Sequence, residues 1–144
     1  MPTWMLLEDE TAICNMILAM CDLLGVGGVA FKLGEDALEW IAEVDNGLYH
    51  RELPELALLD IRIPGLVDGV MIAERLRKSK RLRNIAVVMM TANLLTAQEE
   101  QAILTKSGAD YLLHKPLPPL RELDELLREL VRQAKKSGDS PAQV

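Results

Sequence analysis

LALLDIRIPGLVDG, residues Leu56 to Gly69, is the stretch from which the fold is read. Four apolar or small residues in a row, Leu56 to Leu59, suit a strand covered on both faces, because polar and apolar residues stop alternating when helices pack on either side of a sheet. The run stops at a carboxylate, Asp60, and breaks at Pro64 and Gly65. Asp68 is then placed as a helix N-cap, and Val70, Met71, Ile72 and Leu76 continue at helical spacing.

The same order of run, break and helix holds along the chain. Further apolar runs lie at Trp4 to Leu7, Val26 to Phe31, Ile85 to Met90 and Tyr111 to Leu113. After the first, Ile13, Met16, Ile17, Met20, Leu23 and Leu24 form an amphipathic stripe that Gly25 stops. After the second, Ala37, Leu38, Trp40, Ile41 and Val44 form another, followed by loop residues Asn46 and Gly47. A fourth helix over Ala97 to Lys106 is polar, with Ile103 and Leu104 as its apolar pair, so packing should hold it weakly. The last is the clearest, with Leu120, Leu123, Leu126, Leu127, Leu130 and Val131 on one face. Beyond it KKSGDSPAQV has nothing to bury, which predicts a domain over 1–134 and a flexible tail over 135–144.

Strands and helices alternating at this spacing predict an α/β sandwich, a parallel sheet with helices on both faces. Right-handed crossovers bring every strand's C-terminal end to one edge. Ligands of such sheets bind at that edge.

The totals agree. A chain of 144 residues, 49% hydrophobic and 26% charged, fits one globular domain. No apolar stretch approaches the ~20 residues of a bilayer span. MPTWMLLEDE lacks the basic lead and cleavage site of a secretory signal, so a cytoplasmic protein without membrane contact is expected. Cys14 and Cys21 lie roughly 10 Å apart along one helix, too far for a disulfide, and read as reduced packing residues. His50 and His114 lack zinc-ligand spacing. A net charge of −6 argues against nucleic acid as the main partner. The basic segment RLRKSKRLR, residues 75 to 83, reads as a solvated helix end rather than a contact for an acidic partner.

The runs end in chemistry. The first ends in Glu8 and Asp9, the third in Asp60, the fourth in Thr91, the fifth in His114 and Lys115. Taken singly they have plainer readings: Asp9 or Glu10 caps a helix, Thr91 starts a turn, Lys115 reaches for water. Asp60, at the end of an interior strand, resists that explanation, and four such endings at one edge point to a site. Two like unit charges about 4 Å apart repel by roughly 4 kcal/mol at an effective dielectric of about 20. Three carboxylates beside one ammonium therefore call for a divalent cation, and few carboxylates with room for water suit Mg2+. Cation, ammonium and hydroxyl together match a phosphoryl group.

LLEDE, LALLDIRIPGLVDG, VVMMTAN and GADYLLHKPL, in this order and spacing, resemble the four signature segments of the response-regulator receiver domain of two-component signalling. The similarity runs from Trp4 to about the end of the last helix. It implies a flavodoxin-like (βα)5 fold with strand order 2-1-3-4-5, in a stand-alone protein, since no output domain follows. It implies that Asp60 accepts a phosphoryl group from a sensor histidine kinase or histidine phosphotransfer protein. Glu8, Asp9, Asp60 and the backbone carbonyl of Arg62 would hold Mg2+, Thr91 would be the switch hydroxyl, Lys115 would pair with the phosphoryl group, and Lys115–Pro116 would be cis. The phosphorylated form would then bind a downstream protein target. Such a domain promotes its own phosphorylation and dephosphorylation and is not otherwise an enzyme.

Three residues depart from the family's commoner pattern. Glu8 stands where Asp is usual, so a carboxylate lies about a methylene further out, and altered metal contact is expected. GLVDG is one residue longer than the common form, which predicts a bulge. Leu112 occupies the place of a switch aromatic, with Tyr111 facing elsewhere by strand alternation. His114 should point away from Lys115, toward a covering helix.

Other functions remain in view. A phosphate shuttle or sink has the same residues and differs in phosphoryl lifetime. A phosphorylation-independent interaction module is set against the complete acidic set. A Mg2+-dependent phosphohydrolase would need an acid two residues after Asp60, where Arg62 stands. Flavodoxin-like cofactor binding is disfavoured by an acidic first turn that repels phosphate.

Overall fold

A computed structural model describes residues 1–138. Five strands and five helices alternate: β1 (Thr3–Leu7), α1 (Thr11–Leu24), β2 (Gly27–Phe31), α2 (Gly34–Asp45), β3 (Leu56–Asp60), α3 (Gly69–Arg77), β4 (Ala86–Thr91), α4 (Ala97–Ser107), β5 (Tyr111–His114) and α5 (Leu120–Gly138). All neighbouring strands pair parallel, in the order β2-β1-β3-β4-β5. This is the flavodoxin-like arrangement expected.

Strand alternation splits the core into two layers. Leu56 and Leu58 face one side, with Trp4, Leu6, Val88 and Met90, and meet Ile17 and Cys21 of α1 and Leu123 and Leu127 of α5. Ala57 and Leu59 face the other, with Met5, Leu7, Val87 and Met89, and meet Ile41 of α2 and Ile72 and Leu76 of α3. β3 and β4 are buried at every position, which explains their unbroken apolar runs. Enclosing one such side chain, Leu59, stabilises the fold by about 1.5 to 3 kcal/mol.

Caps set the ends of the polar helices. Asp68 accepts from Met71 N at 2.9 Å, as its position predicts. Thr96 and Glu99 form a reciprocal capping box at the start of α4, a signal that the spacing of apolar residues does not carry. Ser107 is the buried residue of α4, so that helix does pack weakly.

Two expectations are corrected. Helix α5 runs on to Gly138 rather than ending at 134, and Lys135 Nζ lies 2.9 Å from Glu55 Oε2. The remainder of the expected tail, 139–144, lies outside the described residues. The segment 75–83 is not simply a solvated helix end. Arg75 pairs with Asp45 at 2.9 Å, and Arg77 donates to the carbonyls of Gly108, Arg83 and Ile85 and pairs with Asp110. Lys78, Lys80, Arg81 and Arg83 stay exposed.

The longer loop after β3 does bulge. Gly65 takes φ 99°, Leu66 turns outward at 91% exposure, and Val67 turns in against Gly34 of α2. Cys14 and Cys21 are buried free thiols of α1. Burial pushes the Cys21 thiol up to about 11, which keeps it protonated and inert. Among the described residues no helix is long and apolar enough to cross a membrane.

Candidate functional site

Strand register builds the site. Leu7 pairs with Leu59, so Glu8 and Asp60 take the next row at the C-terminal edge. Thr91 pairs with His114, and Lys115 N donates to Thr91 O at 2.8 Å, so Lys115 leaves β5 at the same edge. The Lys115–Pro116 peptide is cis, as expected.

Lys115 joins the ends of three strands. Its Nζ donates to Asp60 Oδ2 at 2.8 Å and to Glu8 Oε1 at 2.6 Å. The other Asp60 oxygen, Oδ1, accepts from Arg62 N at 3.1 Å. Glu8 Oε2 accepts from Glu10 N at 3.2 Å. Thr91 Oγ1 accepts from Asn93 N at 3.1 Å, and Thr91 is buried. Carboxylate oxygens of Glu8, Asp9 and Asp60 lie within 4.8 Å of one another.

A cleft of about 180 Å³ opens over this cluster. Asp9, Asp60, Arg62, Thr91 and Lys115 line it, joined by Glu10, Ala92 and Asn93. Those last three are residues that sequence reasoning left without a part in the site. The signal was adjacency, since the turn backbone beside a functional side chain supplies its hydrogen bonds.

His114 points away from Lys115, as strand alternation predicts, toward α4, which covers it only in part. Its ring is half exposed, and Nε2 lies 2.6 Å from Glu100 Oε1 of α4. Leu112 packs on the α2–α3 side of the sheet while Tyr111 is exposed, so no aromatic stands at Leu112's place.

Burial raises the Glu8 carboxyl above its ordinary value, with the hydrogen bond from Lys115 opposing. Burial alone would lower the Lys115 ammonium, but its hydrogen bonds to Asp60 and Glu8 outweigh that, and its pKa is raised. Lys115 therefore stays charged at neutral pH. One ammonium leaves excess negative charge among three carboxylates, and an all-oxygen donor set fits a small, hard divalent cation.

The response regulator receiver domain profile matches residues 5–128. The chain belongs to that family. The receiver domain is 28% identical over 136 residues to a probable transcriptional regulator ycf27 of Guillardia theta, covering 94% of this chain and 48% of that protein. It thus spans about half the length of that curated relative. Among solved structures, a CheY-like response regulator receiver domain protein from Methanospirillum hungatei JF-1 aligns with a TM-score of 0.74 at 23% identity, over 95% of this chain and 98% of that one. The receiver domain of sensor histidine kinase PA1611 from Pseudomonas aeruginosa PAO1 aligns with a TM-score of 0.72 at 24% identity, over 90% and 97%. That protein holds a magnesium ion coordinated in its active site cleft.

Proposed function

We propose that Asp60 is the phosphoacceptor of this receiver domain, in a reaction that depends on Mg2+ held among Glu8, Asp9, Asp60 and the Arg62 carbonyl. One observation carries the reading. The Asp60 carboxylate faces a cleft that also presents Asp9, Thr91 and Lys115, with each carboxylate oxygen fixed by one donor. A nucleophile so held needs little reorganisation before attack.

Receiver domains interact with histidine kinases and downstream effectors. The phosphoryl donor here is the phosphohistidine of a sensor kinase or phosphotransfer protein. Its P–N bond breaks as a P–O bond to Asp60 forms, and the imidazole leaves with the electron pair and takes up a proton. Bound Mg2+ supplies neutralisation of the phosphoryl charge. Lys115 orients the phosphoryl oxygens, and the Thr91 hydroxyl turns toward them. The added charge, about −1.5 to −2, then shifts the β4–α4 region between two states. The phosphorylated surface binds a downstream protein in the cytoplasm. If this chain forms part of a longer transcriptional regulator, DNA meets the other part, since a net charge of −6 repels phosphate.

Acetyl phosphate with Mg2+ tests the reading. Intact-mass and peptide spectra should show one phosphoryl adduct, on Asp60, absent when Mg2+ is chelated and absent from Asp60→Asn. An adduct on the Asn variant overturns it.

A further inference from the structure

Six of the nine residues from Arg75 to Arg83 are basic, and the chain holds no acid between Glu74 and Glu99. Arg75 and Arg77 are engaged by Asp45 and Asp110. Lys78, Lys80, Arg81 and Arg83 are exposed, and among the described residues none of their side chains has an ion-pair or hydrogen-bond partner. Their backbone is nonetheless pinned. Ser79 Oγ donates to Asp45 Oδ1 at 2.5 Å and accepts from Leu82 N at 3.1 Å, and Leu82 is wholly buried. The Arg77 guanidinium holds the carbonyls of Arg83 and Ile85 at 2.8 and 2.7 Å. A helix end left to solvent needs no such fixing, whereas a docking loop gains affinity from it, because the loop is ordered before its partner arrives.

Two clefts flank this loop at the N-terminal edge of the sheet, roughly 17 Å along the strands from Asp60. One, of about 370 Å³, has Arg83 in its lining, and the other, of about 350 Å³, has Arg81. They share Asn84, Ile85 and Ala134, so together they form a trough between the loop and the last turns of α5. The acids in its walls are already matched, Glu55 by Lys135 and Asp110 by Arg77. Two unpaired guanidinium groups remain, beside the apolar surface of Ile85 and Ala134.

We propose that this trough docks an extended acidic segment of a second protein, its carboxylates on Arg81 and Arg83 and its small apolar side chains against Ile85 and Ala134. Spaced single charges suit carboxylates better than a phosphate, which is held by several donors converging on one group. Nucleic acid fits worse, since Glu55 and Asp110 lie in the same walls and the chain carries −6 overall. Lys78 and Lys80, beside the trough in the chain, steer an acidic segment toward it. The site lies at the edge opposite the Asp60 cleft, so docking here does not depend on phosphorylation.

A fluorescent peptide alternating Glu and Ala sets carboxylates and small apolar side chains on opposite faces of an extended chain, and its anisotropy with the full protein tests the proposal. It should bind without a phosphodonor, more weakly as salt rises, and equally well to Asp60→Asn. The pair Arg81→Gln/Arg83→Gln should weaken binding about fivefold, with Tm unchanged because neither guanidinium bonds to the fold. Lys32→Gln/Arg121→Gln removes the same charge from exposed sites at the opposite edge, and should leave binding within about twofold. Equal loss in both pairs makes the attraction one of overall charge and overturns the docking site. No binding to the unaltered protein, or full affinity in Arg81→Gln/Arg83→Gln, also overturns it. So does duplex DNA that binds more tightly than the peptide and is lost in that variant, which makes nucleic acid the occupant. Sedimentation showing self-association that the variant abolishes assigns the trough to a second copy of the chain instead.

Discussion

The backbone of Gly69 lies so close to Asp60 that a Cβ at position 69 would stand 2.0 Å from the Asp60 carbonyl oxygen. The loop after β3 carries one residue more than the family's common form, and it returns to the sheet by pressing the first residue of α3 onto the backbone of Asp60. Gly69→Ala should force the two apart and cost about 1 to 3 kcal/mol, read as a lower urea midpoint. It should also slow acetyl phosphate labelling, because Asp60 itself is displaced. Gly28→Ala is the control. There a Cβ would meet the flexible end of Leu18, which can move aside, so the loss should be smaller and labelling unaffected.

Mg2+ should stabilise the folded chain by relieving repulsion among Glu8, Asp9 and Asp60. At about ten times its dissociation constant, a ligand that binds the folded state alone adds about 1.4 kcal/mol, a rise of roughly 4 °C in Tm for a domain of this size. Asp9→Asn should flatten the response in a thermal titration with Mg2+. A rise of equal size in that variant would place the cation elsewhere.

Acid should loosen the contact between α2 and the turn after α3. Burial alone would raise the Asp45 carboxyl, but hydrogen bonds from Ser79, Arg75 and Arg81 N outweigh it and hold its pKa below the ordinary carboxylate value. A lowered folded-state pKa stabilises above the unfolded value and loses that stabilisation as pH falls through the folded value. Urea midpoints of the unaltered protein should therefore drop below about pH 4 more steeply than those of Asp45→Asn. The gap between the two proteins should be widest near neutral pH and close in strong acid.

Helix α4 depends on its cap more than on its packing, with Ser107 its buried residue and the Thr96–Glu99 box at its start. Thr96→Ala should cost about 0.5 to 2 kcal/mol. Hydrogen exchange should show faster amides in α4, with β3 and β4 left protected. Uniform acceleration across the sheet would mean that α4 is held by the core after all.

Legibility followed range. Asp68 was readable as a cap because the N–H it receives is three residues away. The edge position of Asp60 was readable because an unbroken apolar run has to end somewhere, and it ends at a charge. Arg77 was not, since its partners Gly108 and Asp110 belong to the α4–β5 turn some thirty residues on, and nothing near Arg77 marks them. The end of α5 at Gly138 is hidden for the same reason. Nothing near Lys135 marks Glu55, which folding places beside it. His114 shows both sides: alternation settled which way it points, but not that Glu100 of α4 would be the residue that meets it.

By itself the sequence determined the elements, the parallel run of the strands and the set of side chains gathered at one edge, because periodicity and chain direction are local properties that survive any packing; the strand order came with the family resemblance. Tertiary structure decided which groups touch. Lys115 reaches both Asp60 and Glu8, and Glu8 turns inward, because strand spacing, the length of each side chain and the closing of solvent over the site act together. No single segment contains all three.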